Sequence, residues 1–193
     1  MNLYVTGTNC EIDDDVTLGY SAGEDSRQTI VGDDARIRSG TIVYSDVTIG
    51  DGFVTGHDAL VREDTRIGDN VVVGTNTVID GTSTIGSNVS LQTRVYVPTH
   101  THIGDDVFVG PGAVLTNDPY PVRQDVEMTG PTLEDGVSVG GNATILPDVT
   151  VGENAFVAAG ATVTEDVPAE TLAVGTPAEH RPLPAKLQGA NSI

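Results

Sequence analysis

The sequence predicts an all-β fold in which very short strands close into triangular coils and the coils stack into a parallel β-helix. Three observations predict it. A branched residue returns at every sixth position along most of the chain, and glycine or Asp/Asn pairs follow these positions. Large side chains are scarce: aromatics make up 4% of 193 residues, tryptophan is absent, and there are 23 glycines. Period six excludes an amphipathic helix, whose apolar stripe recurs at three and four. The composition favours many thin layers over one globular core.

Taken in order, an early coil has its inward positions at Ile12 and Leu18, and residues 20–29 (YSAGEDSRQT) offset it. The register then runs Val31, Ile37, Val43, Ile49, Thr55, Val61, Ile67, Val73, Ile79, Ile85, Leu91, Val97, Ile103, Val109 and Leu115. Residues 118–132 (DPYPVRQDVEMTGPT) separate Leu115 from Leu133, a spacing that is still a multiple of six, so either a coil bulges or a loop extrudes at a corner. Leu133, Val139, Ile145, Val151, Val157 and Val163 complete the pattern. Residues 1–175 therefore read as one β-helix domain with loops at 20–29 and 118–132, and residues 176–193 as a C-terminal tail with room for a short helix.

Two residues before each inward position stands another small or β-branched residue, such as Val47, Ala59, Val71, Val89 or Ala143. That alternation makes a strand with two inward side chains, and glycine with Asp or Asn supplies the turn. Each buried aliphatic contributes roughly 1.5–3 kcal/mol, shared with the coils above and below, so no coil folds alone. Thr55 is the only polar residue in the register, and it stands in FVTGHDALVRED, two residues before His57.

The chain carries 28 acidic and 9 basic residues, a formal net charge of −19, and Lys186 is its only lysine. Nucleic acid and anionic membrane both need clustered Lys and Arg, so neither is an expected partner. The acids are dispersed at turns (Asp33, Asp34, Asp51, Asp69, Asp105, Asp106), as on the surfaces of proteins from salt-loving organisms. Cys10 alone makes neither a disulfide nor a cysteine-rich metal site. No secretory pattern opens the chain and no run of 18 apolar residues occurs, so a soluble, cytoplasmic protein is expected.

The repeated [LIV]-G-x4 pattern resembles the hexapeptide-repeat acyltransferases, over nearly the whole chain. The resemblance implies a left-handed parallel β-helix; handedness does not follow from the period. More narrowly, LQTRVYVPTHTHIGDDVFVGPGAVLTND, residues 91–118, is similar to enzymes that acetylate the 3-amino group of nucleotide-linked sugars. That similarity implies acetyl-CoA as co-substrate, an amino sugar as acceptor, and a homotrimer with active sites between β-helices. The loop at 118–132 is then expected to reach a neighbouring subunit.

Acetyl transfer to an amine needs the amine held against the thioester carbonyl, a proton acceptor and a donor to the oxyanion. Histidine is the natural acceptor near neutral pH. His57 with Asp58 resembles the His-acid dyad of related enzymes. His100 stands one coil, about 4.8 Å, from Asp118 if the corner holds, and an adjacent carboxylate raises a histidine pKa. Both remain candidate bases. His102 points outward and His180 lies in the tail.

Expected acceptor contacts are Asn76, Gln92, Thr93, Arg94, Asn117 and Tyr120, with Arg62, Arg94 and Arg123 as candidates for phosphates. Where relatives have QNN this chain has Gln92-Thr93-Arg94, which leaves the acceptor open, O-acetylation included. Gly140, Gly141, Ala158, Ala159 and Gly160 leave room for a thin pantetheine arm. A zinc carbonic anhydrase on the same helix needs three imidazoles around one metal. Two of those imidazoles are typically separated by four residues, whereas His100 and His102 are separated by one, so no metal is expected. A non-catalytic assembly protein is the remaining alternative.

Overall fold

The computed structural model describes residues 3–191. It is a left-handed parallel β-helix with three faces. The first sheet has eight strands beginning at Tyr4–Thr6, the second ten beginning at Glu11–Ile12, and the third eight ending its own series at Thr17–Tyr20. One coil shows the construction. Thr48–Ile49, Val54–Thr55 and Leu60–Val61 lie on the first, second and third faces, and Arg66–Ile67 then pairs in parallel with Thr48–Ile49. Every inward position from Ile37 to Val163 is buried, most of them completely, and the second inward residues Val47, Ala59, Val71, Val89 and Ala143 are buried with them.

The break at Thr55 has a hydrogen-bonding counterpart. Thr has the shape of the Val that fills many other slots, so it makes no extra room beside the fully buried Phe53 two residues earlier. Its hydroxyl is what differs: Thr55 Oγ1 accepts the Arg38 N–H at 2.9 Å and lies 3.2 Å from Thr41 Oγ1.

The acids at the corner between the first and second sheets form a ladder. Each carboxylate accepts the backbone N–H of a residue one coil earlier: Asp33 from Thr8 at 2.6 Å, Asp51 from Asp33 at 2.7 Å and Asp69 from Asp51 at 2.9 Å. Further along, Asp105 accepts from Ser87 at 2.6 Å and Asp135 from Asp105 at 2.8 Å. These N–H groups face outward at a turn with no strand partner, so the ladder gives part of the negative charge a structural use.

Both departures from the register extrude at one corner, between the third and first sheets. The first is shorter than its expected limits, because Tyr20 and Thr29 close strands. The second is an extruded loop rather than a bulged coil, closed at its base by Thr129 N–H donating to Asn117 O at 3.1 Å. The C-terminal part also differs from expectation. Thr171–Gly175 and Ala178–Pro182 form an antiparallel hairpin that adds two strands to the second sheet. The expected 175/176 boundary thus falls in its turn. A 3-10 turn at Ala185–Leu187 follows, and Asn191 bonds back to Ser138 Oγ at 2.8 Å on that sheet. The hairpin covers the last coil, whose edge would otherwise stay unpaired.

Candidate active site

The corner between the second and third sheets repeats one construction in successive coils. Its third residue lies in the left-handed region: Gly40 (φ 76°), Asp58 (55°), Asn76 (55°), Arg94 (61°), Gly112 (70°), Asn142 (55°) and Gly160 (68°). That residue's N–H donates to a carbonyl one coil earlier. The bonds run Asp58 to Ser39 (3.0 Å), Asn76 to His57, Arg94 to Thr75 and Gly112 to Thr93 (each 2.9 Å), Asn142 to Pro111 (3.0 Å) and Gly160 to Gly141 (2.9 Å). Ser39, His57, Thr75, Thr93, Pro111, Gly141 and Ala159 therefore form one column. At strand spacing, His57 stands about 10 Å from Thr93 and about 19 Å from Gly141.

Eleven expected site residues share this edge: His57, Asp58, Asn76, Gln92, Thr93, Arg94, Gly140, Gly141, Ala158, Ala159 and Gly160. Their local roles differ. Asp58 and Asn76 are residue types that adopt the left-handed turn readily, so their presence has a structural cause. Gln92 turns onto the second face, its amide donating to Ser90 Oγ at 2.7 Å. Gly140 is required by stacking, because a Cβ there would collide with the Ala159 backbone, whereas at Gly141 it would lie 3.2 Å from Pro111 O. From Thr93 through Pro111 and Gly141 to Ala159 the column carries no long side chain, a smooth strip about 14 Å long. The hairpin closes its far end, where Thr176 Oγ1 donates to Gly160 O at 3.3 Å.

His57 is exposed at the head of this strip, and its main-chain N–H donates to Thr75 Oγ1 at 3.2 Å. No His57–Asp58 hydrogen bond or ion pair forms among the described residues. The turn sets the Asp58 carboxylate over Gly40, which has no side chain to block it. The carboxylate bonded within the column is a different one. Asp15 is held below the usual carboxylate range first by the Ser39 hydroxyl, 2.7 Å from both its oxygens, with the His57 charge contributing.

The other four expected residues, His100, Asn117, Asp118 and Tyr120, belong to the corner between the third and first sheets. The His100–Asp118 stack does not form. Extrusion of the loop begins at Asp118, and Gly130 takes the place over the His100 carbonyl. Asp118 Oδ1 instead accepts the Tyr120 N–H at 2.8 Å within the loop. Asn117 holds the loop base, its amide donating to Thr99 Oγ1 at 2.7 Å. Tyr120 is exposed. His100 itself is exposed in a left-handed turn with φ 61°. His102 faces outward on the first sheet, in register with Thr84 and Thr132.

Sequence reasoning missed a cluster on the outer side of the third sheet. Arg62 bonds Glu63 at 2.7 Å and Asp80 at 3.2 Å, and lies 5.5 Å from the Tyr44 ring centroid. The Tyr96 hydroxyl donates to the other Asp80 oxygen at 3.0 Å, and Tyr20 packs on Tyr44 with ring centroids 4.8 Å apart. Burial first, and then the hydrogen bond to Asp80, raise the Tyr96 pKa. Tyr44, Arg62 and Asp80 are spaced by one coil each, a signal present in the sequence. Beside Tyr96, under the second loop, lies a cavity of about 630 Å³. Among the described residues no group of three His, Cys, Asp or Glu side chains is placed to hold a metal.

The coils and their sixfold register define a hexapeptide-repeat β-helix. The family model described as bacterial transferase hexapeptide (six repeats) matches residues 46–81, 82–117 and 130–165, and the chain belongs to that family. It is 47% identical over 74 residues to 2,3,4,5-tetrahydropyridine-2,6-dicarboxylate N-acetyltransferase of Staphylococcus aureus (strain bovine RF122 / ET3-1), a match covering 38% of this chain and 29% of that relative. Among solved structures, LpxA, a UDP-N-acetylglucosamine acyltransferase from Bacteroides fragilis, superimposes with a TM-score of 0.74 at 18% identity, covering 93% of this chain and 70% of that one. A variant of perosamine N-acetyltransferase from Caulobacter crescentus, solved with CoA and GDP-perosamine, gives 0.55 at 23% identity, over 73% and 56% of the two chains. At these identities the structures agree in fold.

Proposed function

We propose that this protein is an acetyl-CoA-dependent N-acetyltransferase whose acceptor is an amino sugar, nucleotide-linked, and that it works as a cytoplasmic homotrimer. The observation that carries the reading is the single column with an exposed histidine at its head and the smooth strip from Thr93 to Ala159 behind it. An extended pantetheine arm lying on that strip brings its thioester toward Thr75 and His57. The acceptor nitrogen attacks the thioester carbonyl, His57 takes its proton, and the thiolate leaves with CoA. Arg94, beside Thr93, is positioned for a phosphate of the acceptor. The Staphylococcus aureus relative is named an N-acetyltransferase, and the solved perosamine N-acetyltransferase holds CoA and GDP-perosamine.

The trimer is supported by the outer side of the third sheet. Ile42, Leu60, Val78, Tyr96 and Val114 make five successive apolar rungs there, between the corner bearing His57 and the corner bearing His100. A neighbouring copy seated on that face joins the two corners into one site.

The test is acetyl-CoA consumption across nucleotide-linked amino sugars in molar KCl. His57→Gln is expected to lower kcat by about 10²–10⁴-fold with acetyl-CoA affinity unchanged, and His100→Gln to raise the acceptor KM. Exchanged phenotypes make His100 the base. Full activity in both variants removes histidine base catalysis from the reading.

A further inference from the structure

The cavity under the second loop has a chemical character of its own. Its walls include Tyr96 from the third sheet, Pro119 and Pro121 from the loop, and Leu146 and Pro147 from the next coil, around about 630 Å³. Three prolines and a tyrosine make these walls stiff. The Tyr96 hydroxyl is fixed by Asp80, and the loop base is pinned on both sides by Asn117. The cavity is thus preformed and does not depend on ordering a flexible lid.

Most polar groups lining it are already committed. Thr116 Oγ1 donates to Ile145 O at 3.1 Å, and the Asn117 amide donates to Thr99. Asp118 is different: one oxygen accepts the Tyr120 N–H, and the other takes no bond among the described residues. Among the described residues, no Arg, Lys or His lines the cavity. In a chain of net charge −19, a phosphate entering here meets a carboxylate and no cation.

The geometry points to a binding site for an amphipathic amine: a flat or puckered ring seated between Tyr96, Leu146 and the prolines, with its ammonium group on the free oxygen of Asp118. Prolines and tyrosine offer the faces on which apolar ring faces stack, and a carboxylate at the rim selects a cation over a phosphate. The site excludes the phosphate part of a nucleotide. In the proposed trimer this edge faces the His57 corner of a neighbouring copy, but the assignment concerns binding alone and is tested without acetyl-CoA, so it does not rest on acetyl transfer.

Phenethylamine and phenyl phosphate present one ring with opposite charges, and 2-phenylethanol presents it with none. Calorimetric titration of the intact chain, without acetyl-CoA, is expected to give binding of phenethylamine and none of phenyl phosphate. Asp118→Asn should weaken phenethylamine about tenfold, the scale of one charged hydrogen bond at a half-exposed site, and leave 2-phenylethanol unchanged. Thr164→Phe, on an exposed side chain at the cavity edge, should weaken both by filling the space. Binding of phenyl phosphate as tight as that of phenethylamine overturns the assignment. So does an unchanged phenethylamine affinity in Asp118→Asn, or no phenethylamine binding because a neighbouring copy fills the cavity.

Discussion

Replacing Arg94 by asparagine should make this protein more stable and a poorer binder of its acceptor. Along the corner that carries the candidate active site, the left-handed position is held by Asp58, Asn76, Asn142 or glycine, and at Arg94 alone by a long side chain, with φ 61°. An ordinary L-residue in this region costs about 1–2 kcal/mol, and asparagine recovers part of that, so Arg94→Asn should gain about 0.5–1 kcal/mol. The backbone bond from residue 94 N–H to Thr75 O is kept, because asparagine makes the same bond at 76 and 142. No ion pair of Arg94 is lost among the described residues, and the one added unit of net negative charge is screened in molar salt, where the comparison is made. For a chain of this length that corresponds to a rise in Tm of about 1–4 °C. Thermal unfolding followed by circular dichroism reads the first half of the prediction, and the acceptor KM reads the second. A Tm that stays level or falls refutes the strain argument. A raised Tm with an unchanged KM refutes the idea that strain at Arg94 is kept for substrate binding.

Three further outcomes are expected. Ala159→Phe puts a ring on the smooth strip at an exposed position, and should abolish acetyl-CoA binding by calorimetry while leaving circular dichroism unchanged; intact binding places the donor elsewhere. Asp33 is held below its usual pKa by the Thr8 N–H and hydroxyl, Asp15 by the Ser39 hydroxyl, and Asp46 by Arg27 against an opposing effect of burial. Their folded pKa values lie below the unfolded ones, so their stabilisation is full above about pH 4 and is lost as pH falls through the folded values. Asp33→Asn keeps an acceptor for Thr8 and should therefore flatten the fall in Tm below pH 4; an unchanged slope counts against the ladder. Net charge −19 repels over about 10 Å at 0.1 M salt and about 3 Å at 1 M, so Tm should rise between those concentrations if the chain is adapted to salt, and a flat response assigns its acids to the corners alone.

The fold was legible because the constraint that sets it is periodic. Each coil buries the same kind of residue at the same places, and one misplaced side chain would be repeated against two neighbours, so the spacing of Ile49, Val61, Ile67 and Val73 already fixes the stack. The departures from expectation lie where the period stops. Residues 176–193 carry no sixfold signal, and the hairpin of Thr171–Gly175 with Ala178–Pro182 is selected by the need to cover an open sheet edge, a requirement of the assembled structure. Thr55 was visible as an exception, but the partners of its hydroxyl, the Arg38 N–H and the Thr41 hydroxyl, were not, because they are brought to it only when the coils stack.

The candidate site was legible in one dimension. Stacking by eighteen correctly places Thr93 two coils from His57, and Gly141 joins the same edge once the extruded loop is taken out of the count, since backbone bonds between turns enforce that column. The same arithmetic failed for His100 and Asp118, because a loop that leaves the helix takes its first residue with it, whatever the spacing of the flanking strands. It also missed pairings that depend on where side chains point from a turn. His57 and Asp58 are adjacent in sequence yet do not pair among the described residues, whereas the Ser39 hydroxyl, one coil beneath His57, holds the Asp15 carboxylate. A carboxylate acting on His57 should therefore be sought on the coils beneath it, so Asp15→Asn, which keeps an acceptor for Ser39, should perturb the pH dependence of kcat more than Asp58→Asn does. Equal effects of the two variants would restore the adjacent acid to the dyad.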